Sequence, residues 1–234
     1  MRLSNLPGYL LHPGKILPRL KTIQFKNSNR FLPKLSGIIH VGANRGQERA
    51  LYEKYKLDVI WIEPIPEVFL ELKANLEPYP KQHAYQYLIT DSNTKQYKFN
   101  IANNGGASSS ILEFALHKDI WTNTTYERTI TLQSLTLSAF IEKESINLQK
   151  YDGLILDTQG SELLVLAGAT DLLQNFKFIK IEVPDFESYK GCCQLNDVES
   201  FLQAHNFLEF SRVKFAERRE GGSYYDIVYR RVNE

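Results

Sequence analysis

The sequence predicts an α/β fold, a mainly parallel sheet with helices on both faces, and two observations carry that reading. From Ser36 onward, short apolar runs alternate with helix-like segments, as they do where parallel strands are joined by crossover helices. The first run, Gly37-Ile38-Ile39-His40-Val41, stops at a turn bearing Gly42 and Gly46, and the second, Val59-Ile60-Trp61-Ile62, ends in the carboxylate of Glu63. A strand, a glycine turn, a helix and a second strand closed by an acid form the layout of a nucleoside-binding βαβ unit.

Taken in order, residues 1–35 carry Pro and Gly punctuation and a basic polar stretch without a sustained period, which reads as an N-terminal arm or lid ahead of a domain spanning 36–234. Strand one covers 37–43 and its helix about 47–56. Strand two covers 58–63, and its helix, about 67–77, is expected to turn Phe69, Leu72 and Leu76 to the sheet. Strand three is placed near 83–90. Between Lys95 and Leu135 the alternation loses its rhythm: Tyr97, Phe99 and Ile101, then Ile130 and Leu132, read as an inserted β segment. Strand four is Gly153-Leu154-Ile155-Leu156, followed by a helix over about 161–175. Strand five is 178–183, stopped by Pro184. After a helix near 196–205, the segments 207–216 and 223–230 flank Glu220-Gly221-Gly222 and read as an antiparallel pair.

Composition narrows the class. At 234 residues and 43% hydrophobic, the chain suits one sizeable domain. With 28 basic and 27 acidic residues the formal charge is +1, so no global field recruits nucleic acid or an anionic membrane. The apolar start is broken by Pro7, Gly8, Pro13, Gly14 and Pro18, too interrupted for a signal segment or a bilayer span. Two adjacent cysteines, Cys192 and Cys193, suggest no disulfide framework and hence a reducing, cytoplasmic compartment.

Ligands of open parallel sheets sit beyond the carboxyl ends of the strands, and the polar candidates fall there. His40 and the Gly42–Gly46 turn follow strand one, Glu63 strand two, Asp91 strand three, Asp157 and Gln159 strand four, and Glu182 strand five. The first turn lacks the Gly-x-Gly-x-x-Gly spacing that seats a dinucleotide pyrophosphate, and no Gly-x-x-x-x-Gly-Lys-Ser/Thr is present. A nucleoside cofactor without a phosphate cradle points to S-adenosylmethionine. The spacing also disfavours a nicotinamide-dependent reductase. Asp157 and Glu182 make only a weak divalent-cation signal without a third clear ligand, so no metal is expected.

The Val41-Gly42-Ala43-Asn44-x-Gly46 turn, Glu63-Pro64, the Gly105-Gly106-Ala107-Ser108-Ser109-Ser110 run, and Leu156-Asp157-Thr158-Gln159-Gly160-Ser161-Glu162-Leu163-x-x-Leu166-x-Gly168-Ala169 resemble the FkbM family of S-adenosylmethionine-dependent methyltransferases over about residues 38–207. The resemblance implies a class I methyltransferase fold: a Rossmann-like three-layer sandwich on a mostly parallel seven-stranded sheet, with an antiparallel C-terminal strand and the inserted β segment between strands three and four. It also implies transfer to a hydroxyl oxygen of a glycan or other small-molecule acceptor, commonly a sugar. Gly42, Ala43, Asn44 and Gly46 would then border the cofactor's methionine part, Glu63 would hold its ribose, and Asp91 would lie near the adenine. His40 stands where many members carry Asp, so the methionine ammonium is expected to find Glu48 or Asp157 instead. Asp157 is the first candidate for base, with His117 second; Gly106, Ser108, Ser109, Ser110, Gln159 and Glu182 are expected to border the acceptor. His40 also favours the competing reading of a binding module that kept the fold and lost the reaction.

Overall fold

The computed structural model describes residues 29–232. Its centre is a seven-stranded sheet built from β1 (Gly37–Val41), β2 (Asp58–Ile62), β3 (Gln82–Tyr85), β7 (Gly153–Leu156), β8 (Phe178–Pro184), β9 (Phe207–Glu217) and β10 (Ser223–Arg231), in the order β3-β2-β1-β7-β8-β10-β9. The pairs β3–β2, β2–β1, β1–β7 and β7–β8 are parallel, while β10 runs antiparallel to both β8 and β9. This is the expected architecture. The order reverses between β1 and β7, and that switch point opens the crevice in which the site lies.

The four inner parallel strands, β2, β1, β7 and β8, are short, mainly apolar and largely buried on both faces, as parallel strands covered by helices must be. One face packs under α1 (Arg49–Lys54) and α2 (Pro66–Leu76), with Tyr52, Leu57, Trp61, Leu72 and Leu76 at its heart. The other packs under α3 (Leu137–Lys143), α4 (Glu162–Ala167) and α5 (Leu195–Ala204). Each fully buried aliphatic side chain here contributes about 1.5–3 kcal/mol relative to exposure.

Several expectations are corrected. In α2 the buried positions are Val68, Leu72 and Leu76, an i, i+4, i+8 stripe, and Phe69 is only half-buried. The strand expected over 83–90 breaks in two: β3 ends at Tyr85, and β4 (Leu88–Ile89) pairs instead with β6 (Tyr126–Leu135) in a second sheet of order β4-β6-β5, where β5 is Gln96–Ala102. The break follows from Tyr85 and Tyr87, which both set edge-on against Phe140 of α3 and draw the chain off the main sheet. Helix α3, capped by the Thr136 hydroxyl accepting from the Ala139 N–H, was not expected. The helix expected over 161–175 is a short α4 followed by a 3₁₀ turn over Thr170–Asn175.

Of the arm expected over residues 1–35, residues 1–28 lie outside the described residues. Phe31, Leu32 and Leu35 are buried with the α1 and α2 side of the core. No helix among the described residues is long and apolar enough to cross a membrane.

Candidate active site

A cavity of about 310 Å³ opens at the carboxyl ends of β1, β2, β7 and β8, within the range of small-molecule sites. Its floor is the first turn. Gly42 has φ +84°, and a Cβ there would come 1.9 Å from the carbonyl oxygen of Asp157, so only glycine lets the turns after β1 and β7 meet. The cradle left between those turns fits the backbone approach that a nucleoside cofactor needs.

On the β2 side stands Glu63, 4% exposed. Its Oε2 accepts the Asn44 N–H at 2.8 Å and its Oε1 the Ile65 N–H at 2.9 Å, which tie the carboxylate to the first turn and to the start of α2. A carboxylate offers about four acceptor positions, so these bonds leave capacity for two ribose hydroxyls. Burial pushes the Glu63 carboxyl up to about 7, against the two backbone donors, with Asp157 nearby adding to the rise. Beside it Pro64, Ile65, Tyr87, Leu88, Ile89 and Phe99 form an apolar wall suited to a purine. Tyr87, Leu88 and Phe99 were not anticipated, because they come from the strand break and the inserted sheet.

Roofing the cavity is the 105–109 loop. The Gly105 carbonyl accepts from Asn44 Nδ2 (3.2 Å) and Arg45 Nη1 (2.7 Å), bolting the insertion onto the first turn. Gly106, Ala107 and Ser109 line the cavity. Ser108 and Ser110 do not: Ser108 exchanges bonds with Asn104, and Ser110, fully buried, donates to the Gln159 carbonyl at 2.8 Å. Those two hydroxyls shape the loop.

Asp157 lies across the cavity. Gln159, in the left-handed region at φ +55°, donates through Nε2 to Asp157 Oδ1 at 2.6 Å and to Glu182 Oε1 at 3.3 Å. Its Oε1 accepts from the Tyr189 hydroxyl at 2.7 Å, which fixes the amide with its N–H donors toward the two carboxylates. An amide donor therefore stands between the acids where a cation would have to sit; among the described residues no group of three His, Cys, Asp or Glu is arranged to hold a metal. Burial raises the Asp157 and Glu182 carboxyls above the ordinary range, each further raised by neighbouring carboxylates.

Glu162 opens α4 at the far side of the same loop. It is 1% exposed and accepts from the Thr158 N–H (2.8 Å), the Thr158 hydroxyl (3.1 Å), the Gly160 N–H (3.0 Å) and Cys193 Sγ (3.4 Å). It thereby holds the 157–161 loop that presents Asp157 and Gln159.

His40 and Glu48 also line the cavity. His40 Nδ1 is 3.2 Å from the Tyr52 hydroxyl, and its ring stacks on Trp61 at 4.9 Å. Burial, with nearby Lys180, pushes it down to about 3, so it is a neutral imidazole. Gly46 is outside the lining, close to Leu72 of α2. Asp91 is displaced by the strand break: it is exposed, beside Gly168, and away from the cavity. His117 is not brought to the cavity either. It is buried between Phe114 and Trp121, ring centroids 4.7 Å on each side, and reaches Gln159 only through Tyr189. Burial lowers it to about 4, leaving no charge to lend a reaction.

The fold and cleft define a class I methyltransferase. Over residues 40–209 the chain matches the methyltransferase FkbM domain, and it belongs to that family; it is an S-adenosylmethionine-dependent methyltransferase. The 2-O-methyltransferase NoeI of Sinorhizobium fredii is 25% identical over 173 residues, 70% of each chain. Among solved structures, Streptococcus pneumoniae Sp1610, a candidate tRNA (m1A22) methyltransferase, superposes with TM-score 0.50 at 13% identity, covering 93% of this chain and 72% of its own. The METTL16 methyltransferase domain gives TM-score 0.50 at 12% identity over 92% of this chain and 68% of its own. These structural likenesses establish the fold.

The charges predict a pH dependence. S-adenosylmethionine is cationic and its ribose hydroxyls are donors, so a ribose held on Glu63 would favour the ionised carboxylate. Affinity is expected to rise with pH through about 7 and then level, with protons released on binding. Stability of the free protein runs the other way. The folded carboxyl is raised above its ordinary 4.5, so its contribution is complete below that value and is lost as pH rises through about 7. Titration calorimetry and thermal melts from pH 5 to 8.5 check both signs.

Proposed function

We propose that the chain transfers the methyl group to a hydroxyl oxygen, most naturally of a sugar, with Asp157 as base. The observation that carries this is the Asp157 carboxylate, anchored by one oxygen to Gln159 beside the first turn and facing a cavity roofed by Gly106, Ala107 and Ser109. When bound, the cofactor supplies an electrophilic methyl on a positively charged sulfur whose leaving form is a neutral thioether. Glu63 would hold the ribose, the turn from Gly42 to Asn44 the backbone of the methionine part, and the Tyr87–Leu88 wall the purine.

An alcohol keeps its proton until attack begins, so a carboxylate of raised basicity serves better than an ordinary one. Asp157 accepts the hydroxyl proton as the carbon–oxygen bond forms and the carbon–sulfur bond breaks. Gln159 holds that carboxylate in line, and Tyr189 holds Gln159. Ser109, whose Oγ accepts the Ala102 N–H at 2.9 Å, keeps its own proton to donate toward a polar acceptor. A 2-O-methyltransferase among the relatives agrees with oxygen as the receiving atom. The test is incubation with methyl-labelled cofactor and a panel of oligosaccharides, RNA and protein, followed by hydrolysis. Label recovered as an O-methyl monosaccharide supports the reading; label confined to nitrogen of RNA or protein rejects it.

A further inference from the structure

The wall of the cavity farthest from Glu63 carries a charge pair that the ribose, purine and acceptor do not explain. In the register of β1, β7 and β8, His40 lies beside Ile155 and Ile155 beside Lys180, so these side chains stand on one face of the sheet. Two residues further along β8, Glu182 pairs with Asp226 of β10. Lys180 Nζ lies 3.1 Å from Asp226 Oδ1, with the two side chains 18% and 23% exposed. Both residues line the cavity.

Lys180 is the one lysine or arginine among the described residues lining this space, against five acids: Glu48, Glu63, Asp157, Glu182 and Asp226. A nearly buried lysine strand residue needs a purpose, because it costs desolvation that a well-packed apolar side chain would avoid. Asp226 and Glu48 hold it in the charged form. The cofactor brings one anionic group, its α-carboxylate, along with two cationic ones. An acidic cleft suits the cations and repels the anion everywhere except beside Lys180. Lys180 is three strands from Glu63 across β2, β1, β7 and β8, about 14 Å at ~4.8 Å per strand, so the pair marks opposite ends of a nucleoside carrying an amino-acid chain.

We propose that Lys180, held in place by Asp226, receives the α-carboxylate of S-adenosylmethionine. His40, neutral and bonded to Tyr52, leaves the amino-acid end of the site without a charged partner on β1, and β8 and β10 supply one. The proposal rests on the cofactor alone, so the acceptor's identity does not decide it.

The test compares S-adenosylmethionine with its decarboxylated analogue by titration calorimetry, in the unaltered protein and in Lys180→Met/Asp226→Asn. The double substitution removes both charges together and avoids leaving Asp226 buried without a partner. A charge-assisted bond predicts that the unaltered protein prefers the carboxylated cofactor by about 10- to 100-fold. In the double variant that preference is expected to vanish, with the analogue's affinity within about threefold of its original value; Lys180→Arg should retain most of the preference. Three results would overturn the proposal: an undiminished preference in the double variant, equal losses for both ligands, or unchanged cofactor binding with a raised acceptor KM.

Discussion

Asp157→Asn is expected to lower kcat by about 10²- to 10⁴-fold, the range of a lost general base, while changing S-adenosylmethionine affinity by less than about threefold. The substitution preserves shape at a site where Gly42 and the Asp157 carbonyl already touch, so the turn should survive. What it removes is the charge and the second carboxylate oxygen, the acceptor left for a hydroxyl while Gln159 Nε2 holds Oδ1 at 2.6 Å. In the unaltered enzyme kcat is expected to climb as the burial-raised carboxyl ionises and then level; the variant's residual rate should lose that rise. Single-turnover rates across pH, measured beside cofactor affinity, separate the base from a cofactor ligand. Near-normal turnover in a folded Asp157→Asn protein would end the assignment.

Glu63→Ala is expected to weaken S-adenosylmethionine binding by roughly 10- to 150-fold, the equivalent of about 1.5–3 kcal/mol for hydrogen bonds to a charged acceptor. The same carboxylate accepts from the Asn44 and Ile65 N–H groups, so part of the loss comes from loosening the turn. Thermal melting of the free protein measures that part. Calorimetry with adenosine and with 2′,3′-dideoxyadenosine isolates the rest: the unaltered protein should prefer adenosine, and the variant should not discriminate. Equal discrimination in both would place the ribose elsewhere.

The sheet was legible because four of its strands are mainly apolar runs with a single covered solution, and β7 falls on the residues expected, Gly153–Leu156. The edge was harder. From sequence, Gln82–Ile89 is one run of mixed polarity, and its division between two sheets depends on Phe140, a residue of the helix that was missed. That division also carried Asp91 away from the cavity. Local pattern has no access to such a tertiary choice.

Within the site, the glycine turn, Glu63, Asp157, Gln159 and Glu182 were readable because each lies at or just past the carboxyl end of a strand on the same edge, and Gly42, Ala43, Asn44 and the four side chains line one cavity. His117 lies off the cavity for a physical reason: the insertion folds it against the 187–189 segment and encloses it in aromatic rings. Among the serines, only partners and position distinguish Ser109 at the cavity from Ser108 and Ser110 in the loop's frame. Lys180 was hidden inside a mainly apolar strand, where a single lysine carries no sequence signal until the antiparallel β10 brings Asp226 within 3.1 Å of it.

The most direct test of the account is a crystal structure of the enzyme with S-adenosylhomocysteine and its acceptor. The account predicts the thioether sulfur between the ends of β1 and β7, ribose hydroxyls on Glu63, and an acceptor hydroxyl within about 3.2 Å of an Asp157 oxygen, the reach of a general base. An acceptor that presents a nitrogen at that position, or an oxygen that approaches the sulfur with Asp157 turned away, would contradict it.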